Sequence, residues 1–226
     1  MKFIFTITIL LSIILFTSCS GKKERKIVLE TTDIEEQMIE AYNKGLEALD
    51  EGDALYAAKN FNTVENIYPQ SIWAPRSVLM AAYSYYSQDY YGDAISELKR
   101  FLNNYPTNEN YPYAYFLIAT CYYELIVDEK KDLSAIIKSK EYYNIIVNKY
   151  PNTDFSLDAK FKLLMIDNIL ASKEIYIGQY YVTKKKWIPA INRFKNVVEN
   201  FGETEYVEEA LHRLVELNYI LGLENE

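Results

Sequence analysis

The apolar residues of this chain fall at helical rather than alternating spacing, and the Asn-Gly and Asp-Gly pairs that close tight hairpins do not occur. The pattern also repeats. Gly45, Ala57, Phe61 and Pro69 stand 12, 4 and 8 residues apart; Ala82, Ala94, Leu98 and Pro106 keep those intervals, and so do Gly178, Ala190, Phe194 and Gly202. Each set describes two amphipathic helices lying against one another. A small residue on the first lets the second approach, Phe or Leu wedges between them, and Pro or Gly ends the pair. The first two sets are offset by 37 residues. A further unit starts on schedule at Ala119 but reaches its aromatic only at Tyr143, 24 residues on where the others use 16. The excess of 8 falls in the charged stretch VDEKKDLS, residues 127–134, which predicts a lengthened interhelix loop. Between Phe155 and Thr183 there is no Pro and Gly178 is the only Gly, so that span predicts one long helix or two nearly continuous ones. Glu205 to Leu221 predicts a last helix, with Ala210, Leu211, Leu214, Val215 and Ile220 on or near one face, before an acidic tail.

Small, small, large, then Pro at these intervals is the tetratricopeptide (TPR) pattern, here slightly longer than its usual period of about 34 residues. The expected fold is all-α: a TPR-type helical-repeat solenoid over residues 34–226. Its repeats fall near 34–70, 71–107, 111–152 and 156–203, with a terminal helix at 205–222. A solenoid of this kind turns the first helix of each pair toward its concave surface. Taken one turn before and one turn after the small residue, the lining comprises Tyr42, Leu46 and Leu49; Leu79, Tyr83 and Tyr86; and Phe116, Thr120 and Tyr123. An apolar and aromatic lining of this type suits an extended peptide or a partner helix. Most of the 22 tyrosines read as structural, and Tyr68, Tyr105 and Tyr150 each precede a terminating Pro.

The N-terminus has a different character. Lys2 is the only charge before Lys22, and Phe3 to Phe16 is an unbroken run of Phe, Ile, Leu, Thr and Ser. The run is shorter than the roughly 20 apolar residues of a spanning helix, and small residues follow it. Residues 1–18 therefore read as a secretory signal peptide. Thr17 and Ser18 directly precede Cys19, an order that resembles the bacterial lipobox, although Phe16 stands where Leu is usual. Cys19 is the expected lipid attachment point and new N-terminus, and residues 19–33 a lipidated flexible tether. Ser20 rather than Asp follows the cysteine, which resembles the outer-membrane default.

Cleavage after residue 18 removes only Lys2 among the charges and leaves 23 basic against 32 acidic residues, net −9. That balance argues against nucleic-acid binding, which depends on neutralising phosphates. With Cys19 acylated, Cys121 has no partner for an intramolecular disulfide and sits in an apolar helical stretch, which predicts a buried, inert thiol. One further cysteine and a single histidine, His212, do not make a Cys/His zinc framework, so no metal and no cofactor is expected. His212 has no nucleophile signature near it, and no GxSxG, HExxH, Walker A or GxGxxG pattern occurs. The chain reads as a binding protein, not an enzyme. Thr183-Lys184-Lys185-Lys186-Trp187 puts three consecutive lysines between two helices, a local positive site in an acidic chain.

Three stretches resemble the BamD family, the TPR lipoproteins of the outer-membrane β-barrel assembly machinery. They are AYNKGLEALDEGDALYAAKNFNTVENIYPQS, ending at Ser71, the run YSYYSQDYYGDAISELKRFLNNYPTNENYPYAYFLIATCYYE, and ASKEIYIGQYYVTKKKWIPAINRFKNVVENF around Trp187 and Arg193. The resemblance covers nearly all of the mature chain. It implies a non-catalytic scaffold, lipid-anchored on the periplasmic face of the outer membrane alongside other assembly lipoproteins. It also implies that C-terminal repeats dock a POTRA domain of the barrel subunit and that N-terminal repeats receive unfolded outer-membrane protein segments. Candidate partner contacts are Lys184, Lys185, Lys186, Trp187 and Arg193. The family commonly carries Arg followed by Gly where this chain has Lys184 and Lys185, a change that loses bidentate carboxylate geometry. Another TPR lipoprotein, such as a pilotin-like factor for secretin assembly, is the alternative that charge and periodicity leave open.

Overall fold

The computed structural model describes residues 33–126 and 132–222. The signal peptide, Cys19, nearly all of the tether, residues 127–131 of the charged loop and the last four residues lie outside them. Nine helices run through the described residues: α1 (Asp33–Asp50), α2 (Ala54–Ile67), α3 (Trp73–Tyr86), α4 (Tyr91–Asn104), α5 (Tyr111–Glu124), α6 (Ser134–Lys149), α7 (Asp154–Thr183), α8 (Trp187–Asn200) and α9 (Val207–Leu221). From α2 on, each helix packs against the next, and α5 also reaches α7. The core is correspondingly a string of local clusters, as in a solenoid whose units touch their neighbours.

The repeated spacing is a packing rule. A Cβ placed on Gly45 would stand 2.8 Å from the Phe61 ring, and one on Gly178 would stand 2.6 Å from the Phe194 ring. Where the wedge is the smaller Leu98, the facing residue is Ala82, and both are fully buried. In the third pair Ala119 and Tyr143 share one core cluster, and Ser139 stands four residues before the wedge where the other pairs have alanine. Its hydroxyl is satisfied by donating to the Ala119 carbonyl at 2.8 Å.

The turns inside three pairs are built alike. Gly52, Asp89 and Lys185 have φ of +80°, +63° and +54°. Around each, the next residue's amide reaches five residues back: Asp53 to Ala48 (2.9 Å), Tyr90 to Tyr85 (3.0 Å) and Lys186 to Tyr181 (2.9 Å). The left-handed residue's own amide reaches three back, completing a Schellman closure in every case. Second helices of pairs end differently. Tyr68, Tyr105 and Tyr150 leave helical geometry just before Pro69, Pro106 and Pro151, because a proline ring crowds the preceding residue out of the α region.

The span without breakers is a single helix of 30 residues, α7, capped by the Thr153 hydroxyl, which accepts from the Ser156 amide. It serves two cores. Ala159 and Ile166 pack with Ala119, Ile136 and Tyr143, while Ala171 and Ile175 pack with Ala190, Phe194 and Val197. The last helix corrects one expectation. Ala210 and Leu217 are its buried residues, whereas Leu211, Val215 and Ile220 are 48%, 69% and 56% exposed. The core takes one narrow stripe of α9, since only α7 and α8 lie against it among the described residues.

Candidate docking surfaces

Positions on the first helix of each pair do not all open to one groove. Residues three before and four after the small residue share its helix face, which is the face turned to the second helix. Tyr42 accordingly packs edge-on against Phe61 (5.3 Å between centroids) and Trp73 (5.4 Å), and Leu49 joins the same cluster. Leu79 is buried in the core of the second pair, so it offers little surface to a ligand. Phe116 packs on Tyr143 and Phe155 at 5.7 and 5.5 Å. Tyr86 is half-buried between Tyr83 and Tyr91, and Tyr123 lies under the Lys162 ammonium, 4.8 Å from its ring centroid. The position just after the small residue is the one that faces out: Leu46 is 37% and Tyr83 41% exposed. Thr120, the third such position, is instead buried, its hydroxyl bonded to the Phe116 carbonyl and 3.1 Å from the Tyr143 hydroxyl.

The cleft beside Tyr83, about 660 Å³, is completed by residues that the spacing argument missed: Ile72, Arg76, Tyr113 and the amides of Asn108 and Asn110. Ile72 is 87% exposed. The signal was present in the sequence as two large apolar residues, Ile72 and Trp73, directly after the Tyr-Pro-Gln-Ser that ends the first pair. Tyr113 is pushed up to about 12 by burial, so this phenol is a neutral donor at any physiological pH.

At the other end, α7 stops at Thr183, whose hydroxyl donates to the Tyr180 carbonyl at 2.7 Å. The Schellman turn then presents Lys184, Lys185 and Lys186, all exposed. The Lys184 ammonium lies 5.6 Å from the centroid of Tyr180, itself 53% exposed. Trp187 is half-buried at the first position of α8 and packs against the core cluster that α7, α8 and α9 share. Arg193 is committed within the chain, donating to both Glu174 oxygens at 3.1 and 3.2 Å across α7 and α8. Around that pair lies a recess of about 640 Å³ that also includes Tyr181, Ile188 and Pro189. The structure therefore separates the predicted contacts into an exposed cationic turn, an indole that packs, and an arginine that is already paired.

No helix among the described residues is long and apolar enough to cross a membrane. No cluster of three His, Cys, Asp or Glu among them is placed to hold a metal ion. Burial pushes the Cys121 thiol up to about 12 and keeps it protonated. His212 is exposed, 3.3 Å from Glu216 one turn along α9.

Residues 34–226 match the family described as YfiO, outer membrane lipoprotein. The chain belongs to this family. It is 37% identical over 209 residues to the outer membrane protein assembly factor BamD of Caulobacter vibrioides, covering 92% of this chain and 67% of that one. To the BamD of Rickettsia prowazekii it is 36% identical over 208 residues, covering 92% and 80%. A more distant BamD, from Neisseria gonorrhoeae, is 26% identical over 188 residues, covering 79% and 70%. The matched region takes in all nine helices apart from Asp33, so the family assignment rests on the whole set of helix pairs and not on one repeat.

Proposed function

We propose that this chain is a lipid-anchored scaffold for the assembly of outer-membrane β-barrel proteins, held at the periplasmic face through Cys19. Its C-terminal helices dock the POTRA-bearing barrel subunit, and its N-terminal pairs receive unfolded outer-membrane protein segments. One observation carries the docking half of this reading. In a chain of net charge −8, the α7–α8 turn holds three exposed, consecutive lysines in a hydrogen-bonded closure. A fixed cationic patch on an acidic protein steers an acidic partner to one place and disfavours approach elsewhere. Support for the receiving half comes from the cleft at Ile72, Tyr83 and Tyr113, whose apolar walls and side-chain amides suit an extended peptide. Catalysis has no place in this reading.

The test is purification of the acylated full-length chain from detergent-solubilised membranes. The expected result is incorporation of labelled fatty acid at Cys19 and co-purification of a β-barrel subunit with periplasmic POTRA domains. Recovery of an acylated chain with a secretin and no assembly subunit would replace this reading with the pilotin-like one.

A further inference from the structure

The end of the solenoid carries a second feature beside the lysine turn. Between the last residues of α7 and one flank of α9 lies a recess of about 520 Å³, with Val182, Tyr219 and Ile220 as its apolar walls, the buried Leu217 beneath them, and Gln179, Thr183, Arg213 and Glu216 completing the lining. Tyr219 is 78% and Ile220 56% exposed, and no helix among the described residues follows α9 to cover them. An exposed apolar recess of this kind is a surface suited to another protein. Its one cation is balanced by a carboxylate: the Arg213 guanidinium donates through Nη1 to Glu216 at 2.9 Å, while its buried Nε, 3.7 Å from Glu209, makes no hydrogen bond. The recess is thus electrically near neutral, while the positive charge begins immediately beyond its lip, where Thr183 gives way to Lys184, Lys185 and Lys186.

Resting on the docking reading above, we propose that the partner binds this end at two points. One apolar side chain of the partner enters the recess between α7 and α9, and the acidic residues flanking it meet the lysine turn. The partner this fits is an acidic surface with a single protruding aliphatic or aromatic residue. The apolar contact sets how long the complex lasts, and the lysines set how fast it forms and how steeply binding falls with salt.

The experiment uses the acylated full chain in detergent and, as probe, the soluble POTRA domains of the barrel subunit from the same organism, titrated at several salt concentrations. Ile220→Asp places a charge at the apolar wall and is expected to weaken binding about tenfold or more, flattening the salt slope by less than Lys184→Glu does because it changes the charge by one unit and not two. Lys184→Glu is expected to weaken binding and flatten that slope. Val215→Asp, on the exposed side of α9 but outside the recess, is expected to bind as the wild type, with all variants melting alike. If Ile220→Asp binds as the wild type while Lys184→Glu is weakened, the recess proposal is overturned and the docking reading stands. If neither variant differs from the wild type, the docking reading fails and the recess proposal falls with it. A wild-type chain that self-associates, and that Ile220→Asp makes monomeric, would assign the recess to a second copy and overturn the proposal.

Discussion

Lys185 and Gly52 occupy the same place in their turns, yet only one of them is suited to it. A left-handed backbone costs a residue with a Cβ roughly 1–2 kcal/mol, partly offset because glycine loses more chain entropy on folding. Lys185→Gly should therefore stabilise the chain by about 0.5–1 kcal/mol, read as a higher urea midpoint with an unchanged slope; a lower midpoint would mean that the lysine side chain contributes contacts of its own. The opposite holds at Gly178, where a methyl group would meet the Phe194 ring at 2.6 Å. Gly178→Ala should destabilise by about 1–3 kcal/mol, whereas Gly92→Ala, with nothing within 4 Å of the added carbon, should be tolerated. Equal midpoints for the two variants would show that the fourth pair is not packed on that ring. Burial raises Cys121, Tyr113 and Tyr143 each to about 12. Unfolded, a thiol ionises near pH 8.5 and a phenol near pH 10, so between those values and 12 the folded state holds protons that the unfolded chain has released. Stability from these groups is complete below about pH 8.5 and is lost as pH rises toward 12. A urea midpoint that is level from pH 7 to 8 and then declines steadily is the expected profile; a flat profile to pH 11 would place these side chains in water.

At the scale of elements, the small residues that set helix separation were legible in the sequence because the constraint is local: 12 residues from Gly45 or Ala82 brings the chain back to the same height on the next helix. Ala94→Trp should destabilise by about 1–3 kcal/mol or more, since Ala94 is fully buried between α3 and α4. Substitution of the exposed Asp132 should cost only its cap contacts to the Ser134 amide and hydroxyl at the start of α6, about 0.5–1 kcal/mol, and thermal melts that ranked the two the other way would contradict this packing. The length of α7 was half legible. Absence of breakers permits one helix but does not require it; what joins the halves is that one face packs on the third pair and the following turns pack on α8. The groove was less legible still. Which side of a first helix faces out depends on the neighbouring pair, a tertiary fact, and so Leu46 and Tyr83 are open while Leu79 and Thr120, at equally apt spacing, are covered. The polar lock between α2 and α4 also gave no sequence signal. There Glu65, 6% exposed, accepts from the Tyr105 hydroxyl at 2.7 Å and pairs with Arg100, which also holds Glu97 and Asn62. The α2 and α4 partners lie 35 to 40 residues apart and meet only because consecutive pairs stack, whereas Glu97 and Arg100 are neighbours on α4.

Over the whole molecule, the distribution of charge matters more than its sum. Most of the excess acid is spread over exposed helix faces, while the lysine turn is a point of opposite sign at the end of the longest helix. The sequence located that turn, because three consecutive lysines before Trp187 stand out in an acidic chain. It did not reveal that Arg193 is occupied by Glu174, or that an apolar recess opens beside the turn. The most direct measurement is therefore capture of the barrel subunit's POTRA domains by wild-type and Lys184→Glu chains of matched helical content and melting temperature. The account predicts reduced capture by the variant, with wild-type binding falling as salt rises and the variant's falling less steeply. Undiminished capture by a folded Lys184→Glu chain, with the same salt dependence, would contradict it.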